Sequence, residues 1–260
     1  MTDSQPSPDA PPQSTTPSPP TRTPALASAD QALHTLFAIL LLIVALVTAI
    51  ALAVLWRARA EPVWWVTVAP DDPVAIHRAE SVEKRLNNTL SHDHPNPDAW
   101  TIDITADEAN AWLNLRLPLW LANRDLPSPF DPGSLAIAFR DDRIIAGARL
   151  RSGNDHHIVG LTIEPRIDEE ARLHAPITSI HFGALALPRH LAGERLYTLI
   201  PAELTEHPEV SGTLRALLDA EPLLDASLLN IDGHRTIRIV AIELTNGRAR
   251  IHCRTQAREQ

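Results

Sequence analysis

The stretch "TADEANAWLNLRLPLWLA", Thr105 to Ala122, holds two adjacent acids, two tryptophans and a run of leucines. Thr105 is followed three residues later by Glu108, the spacing of a capping box, in which hydroxyl and carboxylate each satisfy a backbone N–H. Asp107 and Glu108 would suit acid–base chemistry if they faced each other. Neighbouring helix residues project about 100° apart, so they do not. Two acids in a first turn favour the positive end of a helix instead. Ala109, Trp112, Leu113 and Leu117 recur at helical spacing and predict the face that packs on a sheet. Pro118 is expected to end the helix, with "LWLANRDLPSPFDPG" as loop. Trp112 and Trp120 are the two ligand-contact candidates. Burial competes with that role, because a core aromatic contributes about 1.5–3 kcal/mol.

The flanking segments carry β patterns. "WTIDIT", Trp100 to Thr105, alternates. "SLAIAFR" and "RIIAGARLR" flank Asp141-Asp142 and predict a hairpin. "HHIVGLTIEP" and "ARLHAPITSIHFGALALP" predict two more strands, the second broken at Pro176. Residues 189 to about 224 read as mostly helical. "RTIRIVAIEL" and "RARIHCR" close the chain around Asn246-Gly247, a hairpin-turn pair, and Asp232-Gly233 marks another turn. Antiparallel strands with segregated helices make the fold class α+β.

Upstream, "LHTLFAILLLIVALVTAIALAVLW" has no charge, proline or glycine from Thr35 to Leu55. Roughly 20 such residues cross a hydrocarbon core of about 30 Å. Trp56 suits the interface, and Arg57 and Arg59 can snorkel. The run is longer than a signal-peptide core, and "LWRARAEP" is a poor cleavage context. Residues 1–31, rich in Pro, Ser and Thr, read as a disordered tail. Residues 32–56 read as a transmembrane helix, 57–99 as a juxtamembrane segment with a helical neck over "PVAIHRAESVEKRLNNTL", and 100–260 as the α+β domain. In that neck Val74, Ile76, Ala79, Val82, Leu86 and Leu90 form the apolar series. Trp64 and Trp65 have two readings, interfacial rings or a cover for the base of the domain.

Charge bounds the partners. The formal net charge is −9, and the first 56 residues carry −2 of it, from Asp3, Asp9 and Asp30 against Arg22. An acidic chain argues against nucleic acid and against docking by charge on anionic lipid. Cys253 is the sole cysteine, which excludes an internal disulfide and a multi-cysteine metal site. Lys84 is the sole lysine and reflects composition bias. His92 and His94, around Asp93, are the metal candidates, with a solvated turn before Pro95 as the bland alternative. His156-His157 lies at a strand start, where adjacent side chains point to opposite faces. Asn87-Asn88-Thr89 matches a glycosylation triplet but carries little information. No nucleophile elbow, zinc-protease, P-loop or dinucleotide motif occurs, and no cofactor is expected.

"ITADEANAWLN" after an N-terminal anchor, then a meander, then "ITSIHFGALALPRHL" and a final hairpin resemble the YpmS-like family of bacterial membrane-anchored domains. The similar elements are Ile104 to Leu113 and Gly183 to Pro188. The resemblance covers about residues 33–255 and implies a single-pass protein with its domain facing the cell envelope; it supplies no catalytic residues. The positive-inside count, Arg22 before the span against Arg57 and Arg59 after it, differs by one residue and leans the other way. The usual layout of an uncleaved anchor places the domain outside the cytoplasm. The reading is a non-enzymatic bacterial cell-membrane protein that binds an apolar ligand, such as lipid, or a membrane-protein partner. A tethered hydrolase or metal enzyme and a purely structural tether are the alternatives.

Overall fold

The computed structural model describes residues 25–91, 99–123, 130–152, 155–191, 208–224, 228–230 and 235–257. The chain divides into two units, Met1–Ala51 and Leu52–Gln260. The described part of the first is helix, and helix α1 spans Ala25–Arg59. It starts earlier than the apolar pattern alone places it. From Leu36 to Arg57 every side chain is exposed, and Leu36–Arg59 is long and apolar enough to cross a membrane.

The second unit is α+β: antiparallel sheets with packed helices. Strands β1 (Ala99–Thr105), β10 (Leu228–Asn230), β11 (Arg235–Thr245) and β12 (Arg248–Ala257) form a four-stranded sheet ordered β1-β12-β11-β10. A five-stranded sheet is ordered β2-β3-β4-β7-β8. It comprises β2 (Leu135–Arg140), β3 (Arg143–Ser152), β4 (Asp155–Ile163), β7 (Ile177–Phe182) and β8 (Leu185–Pro188). A small third sheet holds β5 (Arg166–Ile167), β6 (Leu173–His174) and β9 (Pro222–Leu224). The two hairpin turns fall as the sequence predicts, at Asp141-Asp142 and Asn246-Gly247. Asp142 takes the left-handed conformation, φ 61°, that a short polar side chain tolerates. Asp232-Gly233 lies outside the described residues.

Two segments differ from expectation. Gly183 to Pro188, which the resemblance reads as a turn from strand to helix, holds a strand of its own: Gly183 and Ala184 make the turn, Leu185–Pro188 pairs with β7 as an edge strand, and helix follows at 189–191. The helical reading of 189–224 holds for residues 189–191 and for α5 (Pro208–Asp219), fails at Pro222–Leu224, which pairs with β6, and at 192–207 falls outside the described residues. Leu217 and Leu218 of α5 pack on Ile177 and Ile180 of β7, so the end of the helix feeds directly into the small sheet.

Helix α2 (Pro73–Ser91) starts where Asp72 Oδ1 accepts the Val74 N–H at 2.9 Å. It buries Ala75, Ala79 and Val82, spaced at i, i+4 and i+7, whereas Val74 and Ile76 are exposed. Small residues let α2 lie close to its neighbours. Leu90 joins Trp100, Ile237 and Cys253 beneath the four-stranded sheet.

Helix α3 (Ala106–Leu115) begins with the expected capping box. Glu108 N–H donates to Thr105 Oγ1 at 3.2 Å, and Thr105 N–H donates to Glu108 Oε2 at 2.9 Å. Its buried face is a different one. Asn110, Ala111 and Asn114 are buried, while Trp112, Leu113 and Leu117 are only half-buried. The cause is an unpaired strand edge. On the outer side of β2, Asn110 Nδ2 donates to Ile137 O at 2.8 Å and Asn110 Oδ1 accepts from Ile137 N at 2.7 Å. Asn114 Nδ2 donates to Leu135 O at 2.8 Å and Asn114 Oδ1 accepts from Leu135 N at 3.0 Å. Gly247 N–H then donates to Phe139 O at 3.0 Å.

Four helical residues rise about 6 Å, and two strand residues rise about 6.6 Å. Asparagines at i and i+4 therefore meet strand residues at j and j−2 in register. Each side-chain amide offers an N–H donor and a C=O acceptor side by side, as a backbone unit does. Its second N–H is left over for another partner; that of Asn114 donates to Asn110 O at 2.9 Å. The helix thus stands in for the missing strand. Nor does Pro118 end the helical structure. A separate helix, α4 (Leu117–Ala122), starts with the proline in its first turn, where its missing N–H costs nothing.

Asn110→Ala leaves a buried N–H and C=O of Ile137 unpaired and is expected to cost about 1–3 kcal/mol per orphaned group. Asn110→Asp keeps the shape but removes the donor and buries a charge, so it is no milder. Trp112→Ala is expected to cost less than the about 3–5 kcal/mol typical of a core tryptophan. Denaturant titration of the three variants measures this order. Asn110→Ala that matches the parent chain refutes the edge-cap account.

Candidate functional site

The residues leaving α1 are held on one face of the five-stranded sheet. That face is unusually shallow: Ala136 and Ala138 on β2, Gly147 on β3 and Gly160 on β4, with Gly147 and Gly160 directly paired. Trp64 lies across the glycines. A Cβ on Gly147 would sit 2.6 Å from Trp64 Cη2, and one on Gly160 would sit 2.8 Å from Trp64 Cζ2. Trp65 meets Trp64 edge to face at 5.7 Å between centroids and donates its indole N–H to Thr67 Oγ1 at 3.2 Å. Both indoles are buried, so they cover the domain rather than project into an interface.

His181 lies on the same face, 5.8 Å from the Trp64 ring. Its Nε2 is 2.7 Å from Thr162 Oγ1 and 3.4 Å from Ser179 Oγ. Burial pushes the His181 pKa down, so the ring stays neutral.

The β7–β8 turn fastens the last residues of α1. Ala184 N–H donates to Arg57 O at 3.0 Å, and Gly183 N–H donates to Ile158 O at 2.8 Å. Gly183 has φ 55°, and any side chain there would strike the carbonyl oxygens of Ala58 and Ala60. The join is thus built from carbonyl groups in contact with a bare glycine, and it leaves an open cleft of about 290 Å³. Arg59, Glu61, Arg149, His156 and His157 line it beside Gly183. Arg149 is positioned twice: its Nη2 donates to Glu61 Oε1 at 2.8 Å, and its guanidinium lies 5.3 Å from the Trp65 ring centroid. Arg59, His156 and His157 make no side-chain hydrogen bond or ion pair with the described residues.

Trp112 and Trp120 do not line this cleft; Trp112 is half-buried on α3, and Trp120 is exposed on α4. His92 and His94 lie outside the described residues. Among the described residues no three His, Cys, Asp or Glu side chains converge to hold a metal. Asp107 is 3.7 Å from Arg78, and Glu108 is 2.7 Å from Arg85, which with the cap hydrogen bonds holds the Glu108 carboxyl below its usual range. Burial pushes the Cys253 thiol up to about 11, where it is protonated and unreactive at neutral pH.

The other charged groups that meet tie elements together. Arg116 binds Glu83 of α2 through Nε at 2.5 Å and Nη2 at 3.3 Å. Asp168 closes the β5–β6 turn on Arg172, at 2.8 Å to both its N–H and its Nε, and lies 2.9 Å from His174 Nε2. His174 Nδ1 is 3.1 Å from Ala220 O, which links this turn to the end of α5. Desolvation raises the Asp168 carboxyl, but the bonds from Arg172 N–H, His174 and the Arg172 guanidinium outweigh it and hold the group well below the carboxylate range.

No local pattern in the sequence joins Arg149 to Arg59 or to His156-His157. Their meeting depends on the β3–β4 register, which pairs Arg149 with Ile158 and Arg151 with His156. The chain matches no protein-family model, no curated protein and no solved structure.

Two consequences are measurable. Gly160→Ala overfills the Trp64 seat and is expected to cost about 1–3 kcal/mol. The loss should shrink in a Trp64→Ala background, which a double-mutant cycle reads. Equal losses in both backgrounds place the clash elsewhere.

Stability should also fall with acid in two stages. The unfolded chain protonates His181 below its ordinary pKa of about 6.5 while the buried ring resists, so stability drops from pH 7 towards 5. His181→Gln should flatten that stage. The carboxylates of Glu83, Glu108 and Asp168 are all held below their usual values. Their contribution is complete above the unfolded carboxylate pKa of about 4 and is lost as pH falls below it. Urea midpoints against pH, followed by tryptophan fluorescence, measure both stages.

Proposed function

We propose that this chain is a single-pass, non-enzymatic binding protein of the bacterial cell envelope, anchored through Thr35 to Leu55, with residues 100–260 outside the cytoplasm. The likeness of Ile104 to Leu113 and Gly183 to Pro188 to the YpmS-like family supports that layout. The observation that carries the reading is the fastened junction. Trp64 and Trp65 are seated on the sheet, and Arg57 O is bonded to the β7–β8 turn. A cleft opens beside the final turn of an exposed apolar helix. The seat fixes the cleft at the end of the apolar helix, where a ligand carried in the bilayer would meet it.

Binding is favoured over hydrolysis because the charged groups that converge elsewhere are engaged in holding elements together. His174 illustrates this, with Asp168 on one ring nitrogen and Ala220 O on the other. The ligand is a lipid or a membrane-protein partner, since both reach the end of an anchor helix by diffusion in the plane of the bilayer.

The full chain is expected to resist extraction by alkaline carbonate, and a C-terminal reporter active only outside the cytoplasm should be the one that works. Carbonate release, or activity of the cytoplasmic reporter alone, overturns the placement. Native mass spectrometry of the chain released from nanodiscs made with its own membrane should show bound lipid or a bound protein. A bare chain overturns the binding role.

A further inference from the structure

The cleft at the end of α1 is cationic although the chain as a whole is acidic. Arg59 and Arg149 stand against one carboxylate, Glu61, and residues His156 and His157 also line the cleft. Charges more than about 8 Å from the cleft are screened at physiological salt, and the two charged residues next to His156, Asp155 in the chain and Arg151 in the β3–β4 register, are opposite in sign. The C-terminal end of a helix normally repels anions through its free carbonyls. Here two of the last four carbonyls are occupied, Arg57 O by the Ala184 N–H and Trp56 O by the Ala60 N–H, and the guanidinium charges of Arg57 and Arg59 in the last turn offset the others.

From this juxtaposition we infer that the cleft is a phosphate-binding site, and that the phosphate is the head group of an anionic phospholipid. This deepens the proposed binding role and rests on it.

Three features fit a phosphate. The cleft, about 290 Å³ and open, has room for a head group. Arg149 is held in place by Glu61 and by the Trp65 face, yet it uses one of its five N–H donors on Glu61. A pre-positioned guanidinium is the side chain that recognises phosphate through paired hydrogen bonds. Arg59 has no side-chain partner among the described residues and is exposed, so it can close over the ligand without breaking an existing contact. Lipid is the source of the phosphate because one wall is formed by Ala58 and Arg59, which end the apolar helix itself, and by Ala60, which follows it. Head groups of the surrounding leaflet lie at the level where such a helix ends, and basic pockets beside membrane helices hold anionic head groups.

The test uses the full chain in nonionic micelles, with intrinsic tryptophan fluorescence reporting on Trp65 beside Arg149. Dihexanoyl phosphatidic acid is the first probe and sodium phosphate the second. Saturable binding of the lipid is expected, weakened about tenfold or more in Arg59→Gln, as for loss of a charge-assisted hydrogen bond. Arg149→Lys keeps the charge but loses the planar fork, and should also weaken binding. Arg143→Gln removes an exposed charge outside the cleft and should change nothing. Sodium phosphate that saturates the same signal with equal affinity upholds the phosphate site and overturns the lipid source; a signal that needs the lipid upholds both.

No saturation by either probe, or equal weakening by Arg59→Gln and Arg143→Gln, overturns the site. Retention of lipid or protein in native mass spectra alongside that failure leaves the broader binding role standing, so the two outcomes are separable.

Discussion

An exposed strand edge is the constraint from which this domain's layout follows. Strand β2 ends the five-stranded sheet, and its outer N–H and C=O groups need partners once α3 covers them. Asn110, Asn114 and Gly247 supply those partners in sequence along the edge. Because Gly247 belongs to the β11–β12 turn, the same edge also ties the two large sheets together. Phe139, Leu244 and Ala249 then close a core between them, with Ala106 and Ala109 of α3 packed on it. Ala106 N–H donates to Gly247 O at 2.9 Å, so the start of the helix and the hairpin turn are fixed by one another. Covering an edge this way also removes a template for pairing with another chain.

The opposite side of that sheet solves a different problem, how to hold the segment leaving an apolar helix. Glycine and alanine at Ala136, Ala138, Gly147 and Gly160 leave the sheet too shallow to form a core by themselves. Two indoles from the linker fill the depth. The linker is therefore part of the domain's core, and cutting the domain at residue 100 would remove Trp64, Trp65 and the whole of α2. The five-stranded sheet would then expose the face of Ala136, Ala138 and Ile145. A fragment of residues 100–260 has lost the packing that completes one face of its sheet.

Much of the architecture was legible in the chain. The apolar run from Thr35 to Leu55, the Thr105–Glu108 cap and the Asn246-Gly247 turn rest on local chemistry, which short windows of sequence contain. The buried face of α3 was not legible by the same rule. Apolar periodicity selects Trp112, Leu113 and Leu117, whereas the partner surface was a row of backbone groups that asks for amides. Asparagine at i and i+4 inside a helix is the signal that was present, since asparagine is a poor helix former and two on one face need a reason. On α2 the apolar series holds at Ala79 and Val82, which are buried, and departs in the first turn, where close packing takes Ala75 in place of the larger Val74 and Ile76.

Charge shows the same limit from another direction. A net charge of −9 argues against contact with anions, and that argument holds for the chain taken as a sum. Recognition depends on what lies within a Debye length of the ligand, roughly one ring of neighbouring residues. Arg59 comes from the end of a helix, Arg149 from β3 and His156 from β4. Their separations in sequence are too large for any local pattern to join them. The fold joins them through two contacts without charge, Trp64 on the glycine pair and Gly183 on the carbonyls of Ala58 and Ala60. Substituting those glycines would therefore disperse a cationic cleft without altering a single charge, and the character of the site is set by packing before it is set by electrostatics.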